Sequence, residues 1–285
     1  APRFLRPREN VIVRLCSIEC CQSHPMAVCR QAIDGIDVEN NAADAFALSG
    51  QAFTDDLADW AKIAPHLYLW DYTTNFSNYL QPFPNWHVMG ENLRLFRRLG
   101  VEGVLEQGNY SPGKTSAFAP LRIYLLSRLL WNVDADTDEL IRTFVRGYYG
   151  PEAEPGVLQC LSLMENAASQ THMGIYDMPD AAYLDEGLIE QADGCLADAL
   201  SLTADPLRRE RLERERLSFE YVQLARLPLD APGRSERIDA FAGELARLGV
   251  TELFERRELA GSLRCMKESR CPRRRENVPY GCYRL

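Results

Sequence analysis

The chain has 285 residues, of which 41 are acidic and 32 are basic, so its formal net charge at pH 7 is −9. This surplus of negative charge argues against nucleic-acid binding, because the phosphate backbone attracts a positive protein surface. Hydrophobic residues make up 46% of the chain and charged residues 26%, which is typical of a folded globular protein. No stretch approaches the roughly 18–20 consecutive apolar residues of a transmembrane helix, so the sequence predicts no membrane span.

The first 131 residues alternate between strand and helix patterns. Thr54 is placed to cap the first predicted helix and Gly100 to end the second. A strand followed by a helix, three times over, predicts a parallel sheet with right-handed crossovers. The predicted strands are 11–18, 65–72 and 101–107, and the predicted helices are 53–64, 90–100 and 117–131.

The rest of the chain reads as helical. Helical periodicity is present in 136–149, 156–169, 185–202 and 204–227, with prolines at plausible breaks between them. The last segment is basic and is expected to be disordered. The sequence therefore predicts three regions: an α/β region over 1–131, an α-helical region over 132–265 and a tail over 266–285.

Each predicted strand ends in a carboxylate. Glu19 follows the first strand, Asp71 lies near the end of the second, and Glu106 near the end of the third. In parallel α/β folds the chemistry lies at the carboxyl ends of the strands. Two carboxylates facing one substrate can divide the work of glycosidic cleavage. Asp71 and Glu106, on adjacent strands about 5 Å apart, fit that role, with Glu19 as a third catalytic candidate. A structural ion pair in the sheet is the alternative.

The loop after Asp71 mixes aromatic and amide side chains. Aromatic faces stack on pyranose rings and amides match hydroxyl groups, so this mixture is typical of a carbohydrate cleft. The alternative is a long loop pinned to the rim of a barrel by its aromatic residues. The candidate substrate-binding residues are Trp70, Tyr72, Asn75, Trp86, Gln107, Asn109 and Tyr110.

Cysteines cluster between residues 16 and 29, around one histidine. A zinc ion could be held by Cys20 or Cys21 together with His24 and Cys29. A disulfide from Cys20 or Cys21 to Cys29 is a second interpretation, and free, half-buried thiols are a third. The spacing leaves all three open. The usual nucleotide-binding, zincin and α/β-hydrolase motifs do not occur in the sequence, and no cofactor is expected.

Several strings carry a family resemblance. They are NVIVRLCSIECC followed by HP, then WAKIAPHLYLWDYTTNFSNYLQPFPNW, GVEGVLEQGNY and LLSRLLWNVDADTDELIRTFVRGYYG. Over about residues 9–170 the chain resembles a bacterial family of uncharacterised glycoside-hydrolase-like proteins, whose members commonly carry an α-glucuronidase-like N-terminal domain ahead of a TIM barrel. The resemblance implies that 11–131 form the last three βα units of a TIM-like (β/α)8 barrel. It also implies that Asp71 and Glu106 match, by strand order and residue type, the water-activating pair of inverting α-glucuronidases.

The expected function is therefore that of a fragment of a carbohydrate-active enzyme that hydrolyses O-glycosidic bonds in an oligosaccharide or polysaccharide. A non-catalytic carbohydrate-binding or scaffold module is the alternative, and a thiol or metal protein built on residues 16–29 is a third. The chain starts without Met and reads as a fragment. A periplasmic or extracellular location is favoured over the cytoplasm.

Overall fold

The computed structural model describes residues 1–2, 4–29, 52–109, 117–255 and 257–268. Three strands, β1 (Ile12–Cys16), β2 (His66–Tyr72) and β3 (Val101–Gln107), form a parallel sheet in the order β1-β2-β3. The predicted parallel arrangement is confirmed, and β3 has the bounds predicted for it. The chain is thus a mixed α/β protein with a small sheet and many helices.

The two faces of the sheet differ in exposure. Along β2, Leu67, Leu69 and Asp71 are buried, whereas Tyr68 and Trp70 are only half-buried. Because successive side chains of a strand point to opposite faces, Asp71 shares the covered face with the two leucines. The other face is open: Arg14 is exposed there, with its guanidinium 4.8 Å from the centre of the Trp70 ring.

Helices follow or connect the strands and then form the rest of the described chain. In the first part they are α1 (Phe53–Ala61), α2 (Trp86–Arg98) and α3 (Ala119–Trp131). In the second part they are α4 (Thr137–Tyr149), α5 (Glu154–Ala168), α6 (Glu186–Leu202), α7 (Pro206–Arg226), α8 (Arg234–Leu248) and α9 (Leu259–Glu268). The predicted helical character of the second part is confirmed. None of these helices combines the length and apolar character needed to cross a membrane.

The helices of the first part differ in detail from their predictions. Thr54 lies inside α1, and Ala52 precedes the helix without a side-chain cap, so the prediction that Thr54 caps α1 is wrong. Helix α2 begins at Trp86, four residues before the predicted start, because Trp86 and Met89 already belong to its buried face. Gly100 does end α2: its φ of 75° lies in the left-handed region, and its N–H donates to the Arg97 carbonyl over 3.1 Å.

Helix α9 extends into the predicted tail. The helix passes the expected boundary at residue 265 and runs to Glu268. The rest of the predicted basic tail, 269–285, lies outside the described residues.

The sheet and the helices share one buried core. The loop over 73–85, between β2 and α2, is buried along almost its whole length. Its backbone bonds to distant loops: the Phe76 N–H donates to the Ile175 carbonyl and the Tyr79 N–H to the Leu253 carbonyl, each over 2.8 Å. The α5–α6 loop is thereby held against the carboxyl ends of the strands, where the candidate functional residues lie.

Candidate functional site

Asp71 and Glu106 lie side by side at the carboxyl edge of the sheet. They are register partners on β2 and β3, so their side chains emerge on the same face. Asp71 is 5% exposed, and its Oδ1 accepts hydrogen bonds from the Ser17 hydroxyl and, over 2.9 Å, from the Tyr72 N–H. Glu106 is half-buried. The pair predicted from strand order is therefore adjacent in the fold.

The surroundings raise the pKa values of both members of this pair. Burial raises the pKa of Asp71 to about 6, against the opposing effect of its two hydrogen-bond donors. Burial also raises the pKa of Glu106 well above its usual range, and the negative charge of Asp71 raises it further. Both carboxyl groups therefore hold their protons more strongly than exposed carboxyl groups do.

Glu19, the third candidate, lies in the loop after β1. It is half-buried, its Oε1 has no hydrogen-bond partner among the described residues, and burial raises its pKa. Burial is also the main cause of the raised pKa of the neighbouring Cys20 thiol, to which the charges of Asp71 and Glu19 add. Cys20 therefore lies within electrostatic range of both carboxylates.

Three of the predicted substrate-binding residues point to the face opposite the carboxylates: Trp70 and Gln107 are half-buried there, and Tyr72 is buried. The indole N–H of Trp70 donates to Gln107 Oε1 over 2.7 Å. The rings of Trp70 and Tyr72 are stacked, with centres 6.4 Å apart and planes at 20°. Because these residues alternate with Asp71 and Glu106 along their strands, they point to the opposite side of the sheet. The expectation of one cleft lined by both groups is thus not met.

The burial of Asn75 and Trp86 excludes the substrate contacts predicted for them. They are 0% and 1% exposed, so neither lies where a substrate could reach it. The Asn75 amide donates to the Asp177 carbonyl over 2.7 Å, and the Trp86 ring packs edge-on against Phe118. Buried polar groups need such partners, and here the amides of the loop satisfy backbone atoms of the helical part. Its aromatic residues belong to the core.

The last two predicted binding residues follow β3. Asn109 is half-buried at the carboxyl edge of the sheet. Tyr110 lies outside the described residues.

A second group of chemically reactive side chains lies beside the end of β1. Cys21 Sγ is 3.3 Å from His24 Nδ1 and 3.4 Å from His172 Nδ1. Cys29 Sγ is 3.6 Å from His172 Nδ1. The ligand atoms of the four residues all lie within 4.8 Å of one another. Cys20 is outside this group, and neither Cys20 nor Cys21 forms a disulfide.

His172 is the member that sequence reasoning missed. It lies in the α5–α6 loop, 151 residues from Cys21, and no spacing rule connects such distant positions. At Cys21, burial raises the pKa of the thiol. Hydrogen bonds from Ser23, the Met173 backbone and the two histidines outweigh that effect and lower the pKa to about 6. The group can therefore present a thiolate at neutral pH.

Comparison with known protein families gives a family-level match. No curated protein and no solved structure matches the chain significantly. The profile described as Domain of unknown function (DUF4838) matches residues 1–162, which include the whole sheet, the carboxylate pair and three of the four members of the cysteine–histidine group. Since this match covers more than half of the 285 residues, the chain belongs to the DUF4838 family, a family of unknown function.

Proposed function

We propose that the chain is part of a carbohydrate-active enzyme that hydrolyses O-glycosidic bonds, with Asp71 and Glu106 as a water-activating pair. The observation that carries the proposal is the register pairing of two carboxyl groups whose pKa values are both raised. When the pair holds one proton, its ionised carboxylate can accept a proton from attacking water. The other carboxyl group can donate a hydrogen bond to the same water or to a substrate hydroxyl.

The order of strands and helices also supports the proposal. Three parallel strands, adjacent in sequence order and separated by helices, are what the last units of a (β/α)8 barrel would contribute. The acids lie at the carboxyl edge of the strands, where barrel enzymes carry their catalytic groups.

Hydrolysis of aryl glycosides and oligosaccharides tests the proposal, using this chain within its complete natural protein. Replacing Glu106→Gln or Asp71→Asn should lower kcat at least about 100-fold, because each removes a proton-transfer group. The matched control is Glu102→Gln on the same strand, an exposed carboxylate 3.0 Å from His66. It should leave kcat unchanged. Hydrolysis that survives both active-pair substitutions, or no hydrolysis by the wild-type protein, would overturn the proposal.

A second candidate is a carbohydrate-binding module without turnover. The placement of the acids and the aromatic residues on opposite faces favours it, because Trp70 with Gln107 could bind a sugar while Asp71 served the fold. Affinity electrophoresis in polysaccharide gels separates the two functions. Retardation that is lost in Trp70→Ala, in a protein with no hydrolytic activity, would establish the module.

A further inference from the structure

The cysteine–histidine group has the composition and geometry of a zinc site. We infer that Cys21, His24, Cys29 and His172 bind one Zn²⁺ ion as a structural centre that fastens the loop after β1 to the α5–α6 loop. Two sulfurs and two imidazole nitrogens are a ligand set that Zn²⁺ prefers, whereas Mg²⁺ and Ca²⁺ take oxygen ligands. This inference is independent of the carboxylate pair.

The distances fit a tetrahedral ion. Zn–S bonds of about 2.3 Å and Zn–N bonds of about 2.05 Å, at tetrahedral angles, place a sulfur and a nitrogen about 3.5 Å apart. The three sulfur–nitrogen distances found are 3.3, 3.4 and 3.6 Å. The other pairs of ligand atoms lie within 4.8 Å of one another, so ligand atoms from two distant loops converge on one position.

Neighbouring groups orient the ligands. His24 Nε2 is 3.0 Å from the Ser169 carbonyl, so this nitrogen carries the proton and donates it, which leaves the Nδ1 lone pair for the metal. The Ser23 hydroxyl donates to the Thr171 carbonyl over 2.6 Å, which ties the segment between Cys21 and His24 to the α5–α6 loop. Metal-binding histidines in proteins commonly donate their second ring N–H to a carbonyl or carboxylate.

The centre joins the two parts of the molecule. Cys21, His24 and Cys29 follow the first strand, and His172 lies between two helices of the second part. One backbone bond, from the Gln22 N–H to the Met173 carbonyl over 2.7 Å, already aligns the two loops. Zn²⁺ would join three ligands on one side of this junction to His172 on the other. Because four protein ligands fill a tetrahedral sphere, no position is left for a substrate, and the role is structural.

Zn²⁺ binding is a ligand exchange that involves no oxidation. The ion loses its bound waters, the protons that the two cysteines hold or share with the histidines pass to the solvent, and each sulfur donates an electron pair to the metal. The two imidazoles donate lone pairs and keep their second ring protons. His172 is exposed and His24 half-buried, so the ion can enter from the solvent.

The test uses the full chain, reduced and freed of metal by a chelator, and Zn²⁺ alone as the probe. Titration against a chromophoric chelator should show one Zn²⁺ per chain. Cys21→Ser and His172→Ala should each weaken the affinity by at least about 100-fold, more than the loss of a residue that only orients a ligand costs. Cys20→Ser, which removes the neighbouring thiol outside the group, is the matched control and should bind as the wild type does.

A measurement on the wild type covers the case in which a variant fails to fold. Co²⁺ added to the metal-free chain should give the strong visible absorption of a tetrahedral ion together with thiolate charge-transfer bands. An octahedral spectrum without thiolate bands would overturn the inference. So would equal Zn²⁺ affinity in wild type, Cys21→Ser and His172→Ala, or a reduced chain that takes up no Zn²⁺.

Discussion

His87, in the first turn of α2, is held between two carboxylates from the helical part of the chain. Its Nδ1–H donates to Glu165 on α5, and its Nε2–H donates to Asp138 on α4 over 2.6 Å. Only the protonated imidazole can make both bonds. The hydrogen bond to Glu165, against the opposing effect of burial, raises the pKa of His87 to about 9.

This contact should make stability depend on pH in a defined window. A pKa raised on folding means that the contribution is complete below the unfolded value of 6.5 and is lost as the pH rises through about 9. The difference in Tm between wild type and His87→Gln should therefore be largest at pH 6 and shrink by pH 10. Glu165→Gln removes the main cause of the raised pKa of His87, so in this variant the stabilisation should be lost at a lower pH. A difference that stays constant over this range would contradict the assignment.

At the scale of elements, α5 crosses α6 closely at Gly156. A Cβ atom there would lie 2.7 Å from the Cys195 carbonyl oxygen and 3.1 Å from the Ala199 Cβ. The first of these is a backbone atom of α6, so it cannot give way unless the whole helix moves. Glycine at this position is therefore required by the helix packing.

Gly156→Ala should destabilise the protein by about 1–3 kcal/mol, the usual cost of forcing extra volume into a packed interface. The control is Gly194→Ala on α6, where an added Cβ would have no neighbour within 4 Å. It should stabilise by up to about 1 kcal/mol through helix propensity alone. Urea denaturation of both variants gives the two free energies of unfolding. The same sign for both would show that the close crossing does not limit packing.

The sequence determines these elements better than the site they build. The apolar runs of β2 and β3 predict both strands to within one residue, and helical periodicity predicts the starts of α4 and α6 to within one residue, because these signals are local. The adjacency of Asp71 and Glu106 also follows from strand order. The period of two along a strand implies that Trp70 points away from Asp71, so this part of the error was avoidable.

The remaining errors come from contacts between distant segments. Aromatic and amide side chains suit both a sugar cleft and a buried loop, and only the covering helices decide that Asn75 and Trp86 are core residues. His172 joins Cys21 through the fold alone. Residue types within 20–29 allow a metal ligand set as one of three interpretations, and only the tertiary structure brings His172 to them.

At the scale of the whole molecule, the two predicted regions meet through buried polar contacts. Asn78 donates from Nδ2 to the Asp177 carbonyl over 3.0 Å and accepts at Oδ1 from the Tyr221 hydroxyl. Gln81 donates to the Tyr183 hydroxyl over 2.9 Å. Separating the regions would leave these groups buried without partners or expose the core around them, and either change costs free energy.

The chain should therefore unfold as one cooperative unit, and two probes can test this in the intact protein. All four tryptophans, at 60, 70, 86 and 131, lie in the first region, so their fluorescence reports on that region alone. Far-UV circular dichroism reports mainly on the helices α4–α9. In urea the two signals should change with the same midpoint and slope. A fluorescence transition at lower urea than the dichroism transition would show that the sheet region unfolds independently, and that the shared core does not couple the two.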